Sequence, residues 1–98
     1  MKNVTLDVSS ISNWDDFHDL FSTGLKVPYY GRNMDGWIEC MSDPEIVGEG
    51  YFIHLEGTDE LKECCPEIFE TLNECAAFVN YRCHKARKRP IIALSYCA

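Results

Sequence analysis

The chain has no uninterrupted apolar run near the roughly 18 residues of a membrane-spanning helix, and its opening, MKNVTLDVSS, carries one lysine and no apolar h-region. A helical span is thereby excluded, and a cytoplasmic protein is expected. Positive charge is also scarce: nine Lys and Arg stand against sixteen Asp and Glu, for a net charge of -7 and a pI near 4.8. Phosphate backbones require clustered positive charge, so a general nucleic-acid binder is excluded and a basic partner is more natural. Six cysteines in 98 residues fall below the roughly 8 to 10% that marks a secreted disulfide scaffold, two of them (Cys64 and Cys65) are adjacent, and no C-x-x-C occurs. All six are expected to be thiols, most of them serving as small hydrophobes.

Catalytic signatures are missing as well. The sequence contains no G-x-S-x-G elbow, phosphate loop, dinucleotide glycine fingerprint or H-E-x-x-H motif. His18, His54 and His84 fall on three separate segments with no ligand spacing to a cysteine or carboxylate, and the adjacent Cys83 and His84 do not share a helical face. No catalytic residue, metal or cofactor is expected. An enzyme using thiols is the rival that thiol titration separates, because a working cysteine has a depressed pKa.

What is present reads as one folded domain spanning residues 1–98: 46% hydrophobic and 26% charged residues suit a chain with a core. Val4, Leu6 and Val8 alternate with polar residues, predicting a first strand over about 2–8. Trp14, Phe17, Leu20, Phe21 and Leu25 recur at helical spacing after Ser12, a candidate N-cap, which predicts a helix over about 13–23 with Gly24 as terminator. Met34, Trp37, Ile38 and Met41 form one stripe of a short second helix capped by Asn33 and ended by Asp43-Pro44. A polar stretch leads to an apolar strand over 51–55. A helical turn over 58–63 and a long helix from Pro66, with Ile68, Phe69, Leu72, Cys75, Ala76, Val79 and Cys83 inward, precede a third strand over 91–94. The alternation implies α/β architecture: a small three-stranded parallel sheet that the helices cover.

Charge is polarised along the chain. Residues 1–81 hold all sixteen acids and four bases, a net -12, whereas residues 82–98 hold Arg82, Lys85, Arg87, Lys88 and Arg89 and no acid, a net +5. The ordinary account of that basic run is a helix C-terminus favoured by its dipole. Within the acidic part, Asp35 and Glu39 are like charges at i and i+4, a pairing that costs an isolated helix about 0.2 to 0.5 kcal/mol. Tyr29, Tyr30 and Gly31 precede them, placing aromatic surface and a permissive turn beside the acids, a pattern that suits a protein-binding surface as well as it suits a solvated helix face.

The run Pro28-Tyr29-Tyr30-Gly31-Arg32-Asn33-Met34-Asp35-Gly36-Trp37-Ile38-Glu39-Cys40-Met41 resembles the signature of the barstar family, intracellular inhibitors of barnase-like ribonucleases, and the likeness extends weakly over nearly the whole chain. The resemblance implies a three-stranded parallel sheet packed on helices. It also implies a non-enzymatic immunity protein that occludes the active site of a toxin ribonuclease, as a monomer in a 1:1 complex, with the helix over 33–41 and the loop before it. Tyr29, Gly31, Asn33 and Asp35 match family contact positions and Glu39 stands where the family has aspartate; together with Tyr30, read above as aromatic surface, these are the expected partner-binding residues. Two departures qualify this. The family prototype has an aromatic where this chain has Ile38, with Trp37 one position earlier. The prototype also has acids near the end of its last helix, where this chain has Asn80, Arg82, Lys85, Arg87 and Lys88. The second departure leaves two alternatives open: a toxin of another class, or an interaction module that uses residues 82–89 for an acidic partner.

Overall fold

The computed structural model describes residues 1–86 and 92–98. In chain order it contains β1 (Lys2–Asp7), α1 (Trp14–Leu25), α2 (Met34–Met41), α3 (Pro44–Val47), β2 (Tyr51–Glu56), α4 (Thr58–Cys64), α5 (Pro66–Lys85) and β3 (Ile92–Cys97). The strands form one parallel sheet in the order β1-β2-β3, with Val4 opposite Ile53 and Ile53 opposite Leu94. This is the expected α/β architecture. Arg87, Lys88 and Arg89 of the basic run, and Ile91 of the third strand, lie outside the described residues.

Local chemistry explains where the elements begin and end, and it corrects three expectations. Asn13, not Ser12, caps α1: its side-chain oxygen accepts from the Asp16 amide at 2.8 Å, while Ser12 donates its own amide and hydroxyl back to the Asp16 carboxylate at 3.0 and 2.8 Å. Gly24 does not end α1. The helix runs on to Leu25, and Lys26 takes the left-handed conformation at φ 56°. A Cβ on Gly24 would overlap the Leu6 side chain, so this glycine lets α1 pack closely on β1. The polar stretch after Asp43 contains a helical turn, α3, with Pro44 in its first turn and the Asp43 carboxylate accepting from the Glu45 amide at 2.9 Å.

One face of the sheet carries Leu6, Tyr51, Ile53, Leu55 and Ile92, all buried in a core shared with Phe17, Phe21, Trp37, Met41, Leu61, Ile68, Leu72 and Val79. The opposite face, with Asn3, Thr5, Phe52, His54, Ala93 and Ser95, is exposed or half-buried at every described position. The helices therefore cover one face, where cover of the sheet as a whole was expected. The strand order explains this. Crossovers of one hand that step in the same direction, 1 to 2 to 3, stay on one side, and only a reversal of strand order brings helices to the other.

Asn80 joins α5 to β3 by accepting from the Ile92 amide at 3.0 Å and donating to the Ile92 carbonyl at 2.6 Å, as a neighbouring strand would. Asn80→Ala is expected to destabilise the fold by about 1 to 3 kcal/mol, because both backbone groups lose their side-chain partner at a part-buried site. Urea unfolding measures this, and an unchanged midpoint would show that the contact is dispensable.

Candidate protein-binding site

The loop between α1 and α2 is held in place from two sides. Gly31 and Arg32 take consecutive left-handed conformations, φ 86° and 53°, which turn the chain toward α2. For Arg32 that conformation is unfavourable. Its guanidinium compensates by donating to the Asp19 carboxylate at 2.6 Å and to the Asp15 carbonyl at 3.0 Å, both on α1. Tyr30 makes the second clamp. Its ring meets the His18 ring edge-on, with centroids 5.3 Å apart, and its hydroxyl and His18 Nδ1 share a hydrogen bond of 2.6 Å. Burial pushes the Tyr30 phenol up to about 12. Tyr30 is thus a half-buried post and not the open aromatic surface expected, whereas Tyr29 is 81% exposed.

His18 is itself buried and stacks on Trp14, and burial followed by the nearby Arg32 charge lowers its pKa from 6.5, against the opposing pull of Asp15 and Asp19. Protonation is therefore easier in the unfolded chain. The stability this provides is complete above the unfolded pKa of about 6.5 and is lost as pH falls toward the lower folded value. Melting temperature is expected to fall between pH 7.5 and 5 in the native chain and to fall less in His18→Gln. Asp7 and Asp16, whose pKa values are lowered from 3.8 chiefly by side-chain hydrogen bonds from Ser9 and Ser12, lose their contribution only in the more acidic range below about pH 4. Identical pH profiles for the two proteins would remove His18 from this account.

Asn33 is the cap of α2. Its oxygen accepts from the Gly36 amide at 2.8 Å and its nitrogen donates to the Gly31 carbonyl at 3.0 Å, so one side chain starts the helix and shapes the loop. Gly36 allows the close approach, since a Cβ there would overlap the Tyr30 carbonyl. Along α2, Trp37, Cys40 and Met41 are buried and Met34 and Ile38 half-buried, which leaves Asp35 and Glu39 exposed. The compensation for this like-charge pair is Arg82 of α5, whose Nη1 lies 3.3 Å from Glu39 Oε1. Tyr29, Tyr30, Gly36, Glu39, Ser42 and Arg82 line one groove of about 530 Å³.

Of the six residues singled out in the sequence, Tyr29, Tyr30 and Glu39 line the groove, Gly31 and Asn33 shape its loop, and Asp35 stands exposed in the first turn of α2. Arg82 was missed. The charge polarity of the sequence placed it at a pole remote from the acids, whereas folding brings it into contact with one of them across 43 residues. The like-charge spacing of Asp35 and Glu39 was the local signal that a compensating group was needed.

The thiols do not gather at this groove. Cys40 lines it but is buried, and Cys65 and Cys83 are buried elsewhere. Burial raises the pKa values of Cys40 and Cys75, and the adjacent Cys64, with Sγ 3.0 Å away, is the main cause that pushes Cys65 up to about 11. These shifts are opposite to those of a nucleophilic cysteine. Alkylation of the native protein is expected to reach Cys64 and Cys97, the two exposed thiols, well before the other four, as read by mass spectrometry. Rapid labelling of Cys40 would contradict this packing. Among the described residues no three His, Cys, Asp or Glu side chains converge on a metal-sized position, and no helix is long and apolar enough to cross a membrane.

Residues 1–95 match the family model described as Barstar (barnase inhibitor). No curated protein matches the chain.

Proposed function

The chain belongs to the barstar family, and on that premise we propose that it is an immunity protein that neutralises a toxin ribonuclease in the cytoplasm by stoichiometric occlusion of the active site. The observation that carries this reading is the juxtaposition of exposed Asp35 and Glu39 with exposed Tyr29 on a loop clamped at both Tyr30 and Arg32. A ribonuclease site presents cations to substrate phosphates. Acids on a fixed helix occupy the place of those phosphates, and the acidic face steers the encounter. Holding the loop before binding reduces the conformational entropy lost on docking. The chain's part is binding alone, as a monomer in a 1:1 complex, with Tyr29, Tyr30, Gly31, Asn33, Asp35 and Glu39 as contact or shaping residues.

Titration of a barnase-type ribonuclease with the purified chain tests this. Activity is expected to fall linearly to an endpoint at one equivalent and to be protected by substrate analogues. Residual activity that does not change with added chain would refute the ribonuclease reading. The position of Arg82 favours a second reading, a toxin whose surface is not uniformly basic, because a cation at the groove opposes a purely cationic partner.

A further inference from the structure

The acidic site carries its own counter-ion. Arg82 reaches from α5 to Glu39 at 3.3 Å, its guanidinium lies 5.7 Å from the centre of the Phe78 ring one turn earlier, and it lines the same groove as Tyr29, Glu39 and Ser42. Phe78 and Tyr81 are both large and exposed, and Lys85 lies 5.9 Å from the Tyr81 ring centre, so aromatic and cationic surface continues from the groove along α5. A partner that docks over α2 therefore meets Arg82 as well as the acids. A cation that approaches Glu39 must displace or repel the guanidinium already there.

We propose that Arg82 determines specificity: the site selects a protein that offers a carboxylate to Arg82 beside the cation it offers to Glu39, and it discriminates against surfaces that are cationic throughout. This deepens the reading above, since it names the partner chemistry that the same groove accepts. The physical basis is the cost of like charges placed together and of a charge left unpaired at an interface. An exposed ion pair is weak in isolation, and its effect here comes from position, because it lies where the partner must come.

The test compares the native chain with Arg82→Glu, with Arg82→Gln, and with Lys62→Glu, which makes the same change in net charge as Arg82→Glu but on α4, outside the groove lining. Two probes are titrated by NMR at low salt: a hexa-arginine peptide, and a peptide of alternating arginine and glutamate. Barnase inhibition is measured in parallel. Arg82→Glu is expected to bind hexa-arginine about tenfold more tightly than Lys62→Glu does, with Arg82→Gln between Arg82→Glu and the native chain. The native chain and Lys62→Glu are expected to rank the alternating peptide relatively higher than Arg82→Glu does. Equal affinities and equal rankings for Arg82→Glu and Lys62→Glu would overturn the proposal, since only net charge would then matter. If no variant inhibits barnase, the ribonuclease reading fails while the peptide rankings still decide the role of Arg82.

Discussion

Asp35→Ala is expected to weaken inhibition of a barnase-type ribonuclease by at least about 30-fold while leaving the melting temperature nearly unchanged. Truncating one member of a charge pair that is desolvated in a complex costs about 2 to 5 kcal/mol, a range that complexes of this same family helped to set, and 2 kcal/mol is about a 30-fold change. The fold is spared because Asp35 is exposed on the first turn of α2 and pairs with no cation among the described residues. Its loss removes only a favourable interaction with the helix dipole, about 0.3 to 1 kcal/mol, and relieves repulsion from Glu39. Glu39→Ala is expected to weaken inhibition at least as much, since it removes an acid and leaves Arg82 unopposed toward a basic enzyme. Inhibition titrations with thermal melts on the same samples separate binding from folding. Unchanged inhibition in both variants would eliminate the acidic face from the mechanism.

Trp37→Ala is expected to remove about 3 to 5 kcal/mol of stability, enough to abolish a cooperative melt in a domain whose whole stability is of order 5 to 15 kcal/mol. Trp37 is fully buried, the largest side chain of the core, and meets Phe21 edge-on with ring centroids 6.1 Å apart. Its indole N–H is buried and has no hydrogen-bond partner among the described residues, so Trp37→Phe removes an unsatisfied donor along with part of the ring and is expected to cost well under half as much. Inhibition by Trp37→Phe should match the native chain. Denaturant unfolding gives the stability change, and lost inhibition at unchanged stability would place the indole in the interface. Trp37 is thus a core residue, and Tyr29 is the exposed aromatic of the loop before α2.

The elements themselves were legible in the residues. Periodicity located three strands and the major helices because each buries one face, and the spacing of Leu6 and Val8, of Trp37 and Met41, and of Leu72, Ala76 and Val79 records that face directly. Asn33 as a cap and Pro66 as a helix start were legible for the same reason, since both act on backbone groups a few positions away. The short turn α3 was not, because four residues are too few to show a period.

Tertiary structure decided what lies between elements. Gly24 reads locally as a helix terminator, and only the crossing of α1 over Leu6 shows why a side chain cannot stand there. Tyr29 and Tyr30 are the same residue type in adjacent positions, yet one is exposed and the other bonded to His18, twelve positions away. The composition of the acidic segment gives the charge sign of the exposed face of α2. That Arg82 sits beside it is set by how α5 packs against α2, and no local pattern encodes a contact between side chains 43 residues apart.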